Sequence, residues 1–179
     1  ATMGGSGTSW TASLQMSGDE DAGAATFSCA SHTDAAGNAG TADTTANSGS
    51  VTIDFTAPTA SAAVLAIGGS GNGNNGDSMT LTITPSEAIG TPTCVFKSGG
   101  AAMANTVGYS TSGSDHICTI AVADADTDGA VTFTLDFSDS AGNAATQVTS
   151  ASAGAVTIDN THPTATAAVL AIAGSGNGN

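Results

Sequence analysis

The stretch FTAPTASAAVLAIGGSGNGN, Phe55 to Asn74, decides the fold because the chain spells it twice. Its second copy, NTHPTATAAVLAIAGSGNGN, runs from Asn160 to Asn179 and differs at four of twenty positions. The offset is 105 residues, and it holds at two further places. VTID ends at Asp54 and again at Asp159, and AGN starts at Ala36 and again at Ala141. GAATF ending at Phe27 matches GAVTF ending at Phe133 at an offset of 106, so the first copy carries one additional residue between Phe27 and Asp34. One register held through separate motifs is an internal repeat, the mark of modules strung or stacked along a chain.

Within one repeat, alternation of apolar and hydroxyl side chains marks the strands, bounded by Gly, Pro, Asn and Asp. Lettered A to G in order, they begin with SAAVLAI (61–67), followed by the Gly/Asn-rich loop GGSGNGNNGD. SMTLTITPSE is strand B, with Met79, Leu81 and Ile83 on one face, and TPTCVFKS is strand C, with Cys94 and Phe96 sharing a face. A weaker strand is expected around Thr106–Ser110. HICTIAVA aligns Cys118, Ile120 and Val122 as strand E, and AVTFTLDFSD aligns Val131, Phe133, Leu135 and Phe137 as strand F. AGAVTID closes the unit as strand G. Seven strands in about 105 residues, with no helical period, predict an all-β chain of tandem immunoglobulin-like Greek-key β-sandwich repeats. The expected division is 1–54 as the C-terminal part of a first unit (strands E–G), 55–159 as a complete unit, and 160–179 as the first strand of a third. Such a window is expected to be cut from a longer polymer; the alternative is that the strands missing from the partial units come from neighbouring chains by strand exchange.

The order and spacing of TITPSEAI after strand B, FSDSAGNA at the F–G corner, and VTIDFTAPT or VTIDNTHPT at the join resemble the bacterial Ig-like repeats of giant extracellular surface adhesins. They are similar also to Ig-like repeats of very large algal surface proteins. The resemblance spans all 179 residues and implies a sandwich fold, rod-like arrays and, frequently, calcium at domain joins.

Composition narrows the function. Charged residues are 9% of the chain, against about 25% in ordinary globular proteins. Lys97 is the sole basic side chain beside 15 acidic ones. A net charge of −14 excludes nucleic acid, whose binding depends on Lys and Arg. No apolar run approaches the roughly 18 residues of a membrane span, so membrane insertion is not expected. The exposed faces carry Thr and Ser, and Thr beside Pro in FTAPTAS and NTHPTAT is compatible with O-linked glycans. No Asn-X-Ser/Thr acceptor occurs. The ordinary alternative is that Thr is there as a strand former.

Two acidic constellations stand out. DADTDG places Asp124, Asp126 and Asp128 at alternate positions before Gly129, hard oxygen ligands around a tight turn that suit calcium. An EF-hand would need an acid where Leu135 stands, so the loop is not one. The matching first-copy stretch is GDEDAG, with Asp19, Glu20 and Asp21. The bland alternative is a solvated acidic loop. The second constellation follows from topology. In a seven-strand sandwich the B–C and F–G loops lie beside the incoming linker, which gathers Asp54, Glu87, Asp139 and Asn143, while the E–F loop lies near the outgoing Asp159. Acids so gathered repel unless a cation, here calcium, sits among them; otherwise Asp139 and Asn143 simply shape a turn.

Cys94 and Cys118 both point inward on strands C and E, so a disulfide between them is expected to cross the core; the alternative is two buried free thiols. Cys29 falls on strand F at the position of Leu135, where it either pairs with a cysteine outside this window or on another chain or stands as a free core thiol. His32, His116 and His162 show no metal spacing, Trp10 is a lone aromatic, and no serine sits in a nucleophile elbow. The glycine-rich loops lack the lysine of a phosphate loop and read as turns or as backbone passing close to a neighbour. No residue carries a catalytic role. The expected function is therefore structural: an extracellular or cell-surface repeat forming the shaft of a filament or long surface protein, contacting neighbouring repeats and identical chains in a fibre. The alternatives are a calcium-dependent adhesive module and an accessory domain of a secreted hydrolase.

Overall fold

The computed structural model describes residues 1–169 apart from Gly7, Asp19, Ser31 and Ser70. The expected first strand of a third unit, and Asp19 of the first-copy acidic loop, therefore lie wholly or partly outside the described residues. Among the described residues thirteen strands and no helix are formed. In chain order they are β1 (Thr2–Ser6), β2 (Ser9–Ser13), β3 (Gly23–Ala24), β4 (Thr52–Ile53), β5 (Ala60–Ile67), β6 (Asn72–Gly73) and β7 (Ser78–Pro85). There follow β8 (Thr93–Ser98), β9 (Ala101–Ala102), β10 (Gly108–Ser112), β11 (Asp115–Ala121), β12 (Gly129–Asp136) and β13 (Thr157–Ile158).

The chain forms two compact units. The larger (60–84, 93–135 and the chain from 148 on) is the sandwich. One sheet has the order β10-β11-β7-β5, the other β6-β13-β12-β8-β9. The chain changes sheet between β7 and β8, returns between β9 and β10, and crosses again between β11 and β12, the Greek-key pattern of an immunoglobulin-like sandwich. Alternation builds its core as read from the sequence: Met79, Leu81 and Ile83 are fully buried from β7, facing Phe96, Phe133 and Leu135 of the other sheet. Phe96 and Phe133 meet as a tilted pair with ring centroids 6.5 Å apart. Cys94 on β8 and Cys118 on β11 form the expected disulfide, so the bond ties the two sheets across the core, with Cα atoms 6.5 Å apart.

Two details depart from the sequence reading. The closing strand is regular only over Thr157–Ile158, and the chain before it touches β5 through a single parallel bridge, Val64 to Ala153. The Gly/Asn loop is not merely a turn: Asn72–Gly73 pairs in parallel with Thr157–Ile158, and Thr157 and Asp159 donate their amides to Gly71 O and Gly73 O at 2.9 Å. An apolar periodicity cannot reveal a two-residue strand made of Asn and Gly.

The smaller unit comprises residues 1–59, 85–92 and 136–147. Its hairpin β1–β2 pairs Thr2 with Ser13 through Ser6 with Ser9, and the hairpin β10–β11 pairs Gly108 with Thr119 through Ser112 with Asp115. Shifted by 106 residues, the two registers coincide. β3–β4, Gly23 with Ile53, matches β12–β13, Gly129 with Ile158, with the first strand shifted by 106 residues and the second by 105. The first-copy hairpin therefore takes up the register of the complete copy, although its apolar residues stand exposed: Leu14 is 63% exposed where its counterpart Ile120 is 2%.

Candidate functional site

The F–G turn DSAGN folds on one carboxylate. Asp139 Oδ1 accepts the amides of Gly142 and Asn143 at 2.7 and 2.9 Å, and Oδ2 accepts Asn143 Nδ2 at 2.8 Å. Asp and Asn close turns in this way because their short side chains reach backbone donors two to four residues on. The side-chain amide of Asn143, with the backbone donors of the turn after it, holds the Asp139 carboxyl below the usual carboxylate range, and the side chain is buried. It stays an anion at neutral pH.

The turn is joined to two other segments of the same unit. Gly90 donates to Ser138 O at 2.9 Å and Ile89 bridges Asp139, which lays the B–C turn beside it. Asn143 Nδ2 also donates to Asp54 O at 3.0 Å, fixing the incoming linker. That linker is tied again at Thr59, which accepts the Ser86 amide at 2.8 Å and donates its own amide to Ser86 Oγ at 3.0 Å. The result brings Asp54, Glu87 and Asp139 together: one carboxylate oxygen from each lies within 4.8 Å of the other two. Two oxygens on opposite sides of a calcium ion bonded at about 2.3–2.6 Å are about 5 Å apart, so one ion can touch all three. The donors are hard oxygens, which suits calcium rather than a soft metal. Asp139 uses about three of its four lone-pair sites on the turn, so its share is a single oxygen, and water would complete the shell. Asn143 orients the carboxylate and the linker, donating to Asp139 and Asp54 instead of ligating.

The other expected acids are employed differently. Asp126 is buried and ties the E–F loop, accepting Ala104 N and Ala123 N at 2.8 Å each. Asp128 caps the outgoing join: Oδ1 accepts Asn160 N and Oδ2 accepts Thr161 Oγ, both at 2.6 Å, and these bonds hold its carboxyl below the usual range. Asn160 Nδ2 donates to Ala123 O and Asp126 O at 3.1 Å, so this asparagine plugs the loop. Asp124 and Asp159 line a shallow hollow beside it with Asn74 and Asn75. Among the described residues, Asp124, Asp126, Asp128 and Asp159 do not form a ligand set. Asp126 and Asp128 of DADTDG thus bond to backbone amides and to the linker, because they face donors rather than the next carboxylate.

Two residues escaped the sequence reading. Asn160 is one, although a signal existed: Phe55 holds its place at the other join, and Ala22 holds the place of Asp128, so both members of the pair change together. Ser86 is the other. In the first copy Glu20 takes the position of Asp126 and accepts the Ser17 amide at 3.1 Å, as Asp126 accepts that of Ala123. This lowers its carboxyl below the usual range. Cys29 is exposed and free.

No family model and no curated protein matches the chain. Among solved structures, it is similar to a mutant complex of titin M10 with an obscurin-like 1 immunoglobulin domain, at 16% identity over 62% of this chain and 98% of that one, TM-score 0.34. It is similar also to titin Z1Z2 in complex with telethonin (20% identity, 63% of this chain and 52% of that one, TM-score 0.35) and to titin M4 (14%, 59% and 96%, 0.33). Likeness at this level carries no argument about function. The strand order and the inter-sheet disulfide define an immunoglobulin-like sandwich on their own.

Proposed function

We propose that the chain is a length of the shaft of an extracellular filament or long cell-surface protein, with no enzymatic role, whose joins are fixed by side chains and stiffened by calcium. The observation that carries this reading is the incoming join, where Asp54 of the linker meets Glu87 and Asp139 from the two loops beside it. A linker held by Asn143 and Ser86 has little freedom left. A cation among three carboxylates would remove most of the remainder by neutralising their repulsion. A shaft needs equivalent joins and no unique site. The recurrence of VTID and of the hairpin registers at fixed offsets supports that requirement. The covalent structure supports it too, since a disulfide-tied sandwich suits an oxidising compartment. Among the described residues no helix is long and apolar enough to cross a membrane. Thr- and Ser-rich faces would then pack against identical chains or carry O-linked sugar.

Image reconstruction of the native material, with and without a calcium chelator, tests the proposal. Units spaced at constant rotation with density among Asp54, Glu87 and Asp139 are expected, and chelation should broaden the angle at each join. Isolated, flexibly jointed domains that ignore chelation would sink it and favour a display or accessory module.

A further inference from the structure

The neighbouring strands β8 and β12 divide their side chains strictly between core and solvent. β8 buries Cys94, Phe96 and Ser98 and leaves Thr93, Val95 and Lys97 exposed. β12 buries Phe133 and Leu135 and turns Thr132, Thr134 and Asp136 the other way. Gly99 donates to Ala130 O at 3.2 Å, and Val95 and Lys97 bound a hollow of about 120 Å³ with Thr132 and Thr134. Stepping back along β8 therefore means stepping forward along β12. Lys97 stands at one end of this outward row, beside Thr132, with Val95 and Thr134 next. β12 runs on to Asp136, four residues beyond Thr132, roughly 13 Å along the strand.

Lys97 is the one basic side chain of the sequence, against 15 acidic ones. Among the described residues it has no ion-pair partner. Its cross-strand neighbour on β9 is Ala102, so small side chains flank it on both strands. Asp136 is exposed as well, and both of its oxygens accept Gln147 Nε2 at 2.9 Å. That contact orients the carboxylate and brings it no positive charge. Val95, at the middle of the row, is 45% exposed. It is an apolar side chain on a face otherwise lined by hydroxyls.

A row with a cation at one end, an anion at the other and an apolar middle is complementary to itself. A twofold axis in the plane of the face, crossing the strands at Val95, sets each copy's Lys97 against the other's Asp136. The same axis sets Val95 on Val95. Two copies of net charge −14 repel wherever acid meets acid. Lys97 is the one Lys or Arg through which they can attract, and this is the face on which it stands. We infer that two copies of the chain pair face to face through the outward sides of β8 and β12, with Lys97 of each opposite Asp136 of the other. Exposed ion pairs are weak singly, so one such face makes a low-affinity contact. It suits lateral association in a fibre, where many contacts act together. The inference rests on the shaft reading for that setting alone; the pairing itself is read in solution.

The test exchanges the charges and follows the full 179-residue chain by sedimentation velocity up to millimolar concentration. Backbone NMR supplies the map, and a chelator in the buffer keeps cations from bridging acids. Wild type should self-associate weakly, with concentration-dependent shifts centred on Val95, Lys97, Thr134 and Asp136. Lys97→Asp alone and Asp136→Lys alone should each weaken self-association at least about tenfold. Each change sets like charge on like at both ends of the twofold contact. Mixed together, the two single variants should associate, since one face is then acidic throughout and the other basic. The double variant, Lys97→Asp with Asp136→Lys, keeps the net charge and should recover wild-type behaviour. Both positions are exposed, so the sandwich is expected to stay folded, which the same spectra report. A wild type that stays monomeric throughout, or association that the single changes leave intact, overturns the inference. So does a mixture of the folded single variants that fails to associate. Failure of the shaft reading would appear as flexible joins in the images and would leave the charge-exchange result standing.

Discussion

The molecule builds one turn twice. At Asp34 the sequence DAAGN closes on its first carboxylate: Oδ1 accepts the Ala36 and Asn38 amides at 2.9 and 2.8 Å, and Oδ2 accepts Asn38 Nδ2 at 2.8 Å. At Asp139 the sequence DSAGN makes the same side-chain bond from its asparagine at the same 2.8 Å. Both carboxyls are held below the usual range by that asparagine. Their surroundings differ. Asp34 is exposed and belongs to no group of potential ligands among the described residues, whereas Asp139 is buried with Asp54 and Glu87 against it. The turn is thus a local property of five residues. The candidate cation site is not, since it arises only where a linker and a B–C turn are tied to that turn.

The two regions should part most widely when the disulfide is removed. A Cys94→Ala, Cys118→Ala double variant loses a cross-link between residues 24 apart. Such a bond is worth roughly 3 kcal/mol, on the order of 15 °C in thermal midpoint. Calorimetry should show that drop for the sandwich, while NMR shows the Asp34 turn unaltered. Next in size are the two asparagines. Asn143→Ala removes a donor from both Asp139 and the Asp54 carbonyl, so the midpoint should fall by about 5 °C. Asn38→Ala, at an exposed turn, should move it by less than the error of the scan.

Acid should act on both turns alike. Each carboxyl titrates below its ordinary value of 3.8 in the folded chain. Its stabilisation is therefore fully present above that value and is lost as pH falls through the folded pKa. In metal-free buffer the Asn38 and Asn143 side-chain amides are expected to lose their bound shifts over the same acid range. A turn at Asp139 that opened well above pH 3.8 would show that Asp54 and Glu87, crowding it, outweigh its donors. The smallest effect belongs to the joins. Asp128→Ala should speed hydrogen exchange at the Asn160 amide several-fold, leaving the Thr56 amide, held by Asp54 at 2.9 Å, untouched.

Much of this is legible in the sequence. The inward faces of β7, β8 and β11, and hence the disulfide, follow from alternation, because a pleated strand buried on one face leaves no other register. Asp54, Glu87, Asp139 and Asn143 can be gathered from loop placement alone, since the sandwich topology dictates which loops share a pole. DADTDG cannot be resolved in the same way. Sequence displays the acids but not the amide donors that compete for them, and Asp126 and Asp128 are consumed by Ala104, Ala123, Asn160 and Thr161.

A calcium titration of the chain followed by NMR, with the Asp34 turn as internal control, decides whether the join holds a cation. Saturable shifts are predicted at Gly142, Asn143 and Asp54, reversed by chelator and abolished by Glu87→Gln, with Gly37 and Asn38 unmoved. Equal shifts at both turns, or none at either, would contradict this: the acids at the join would then be turn formers and nothing more.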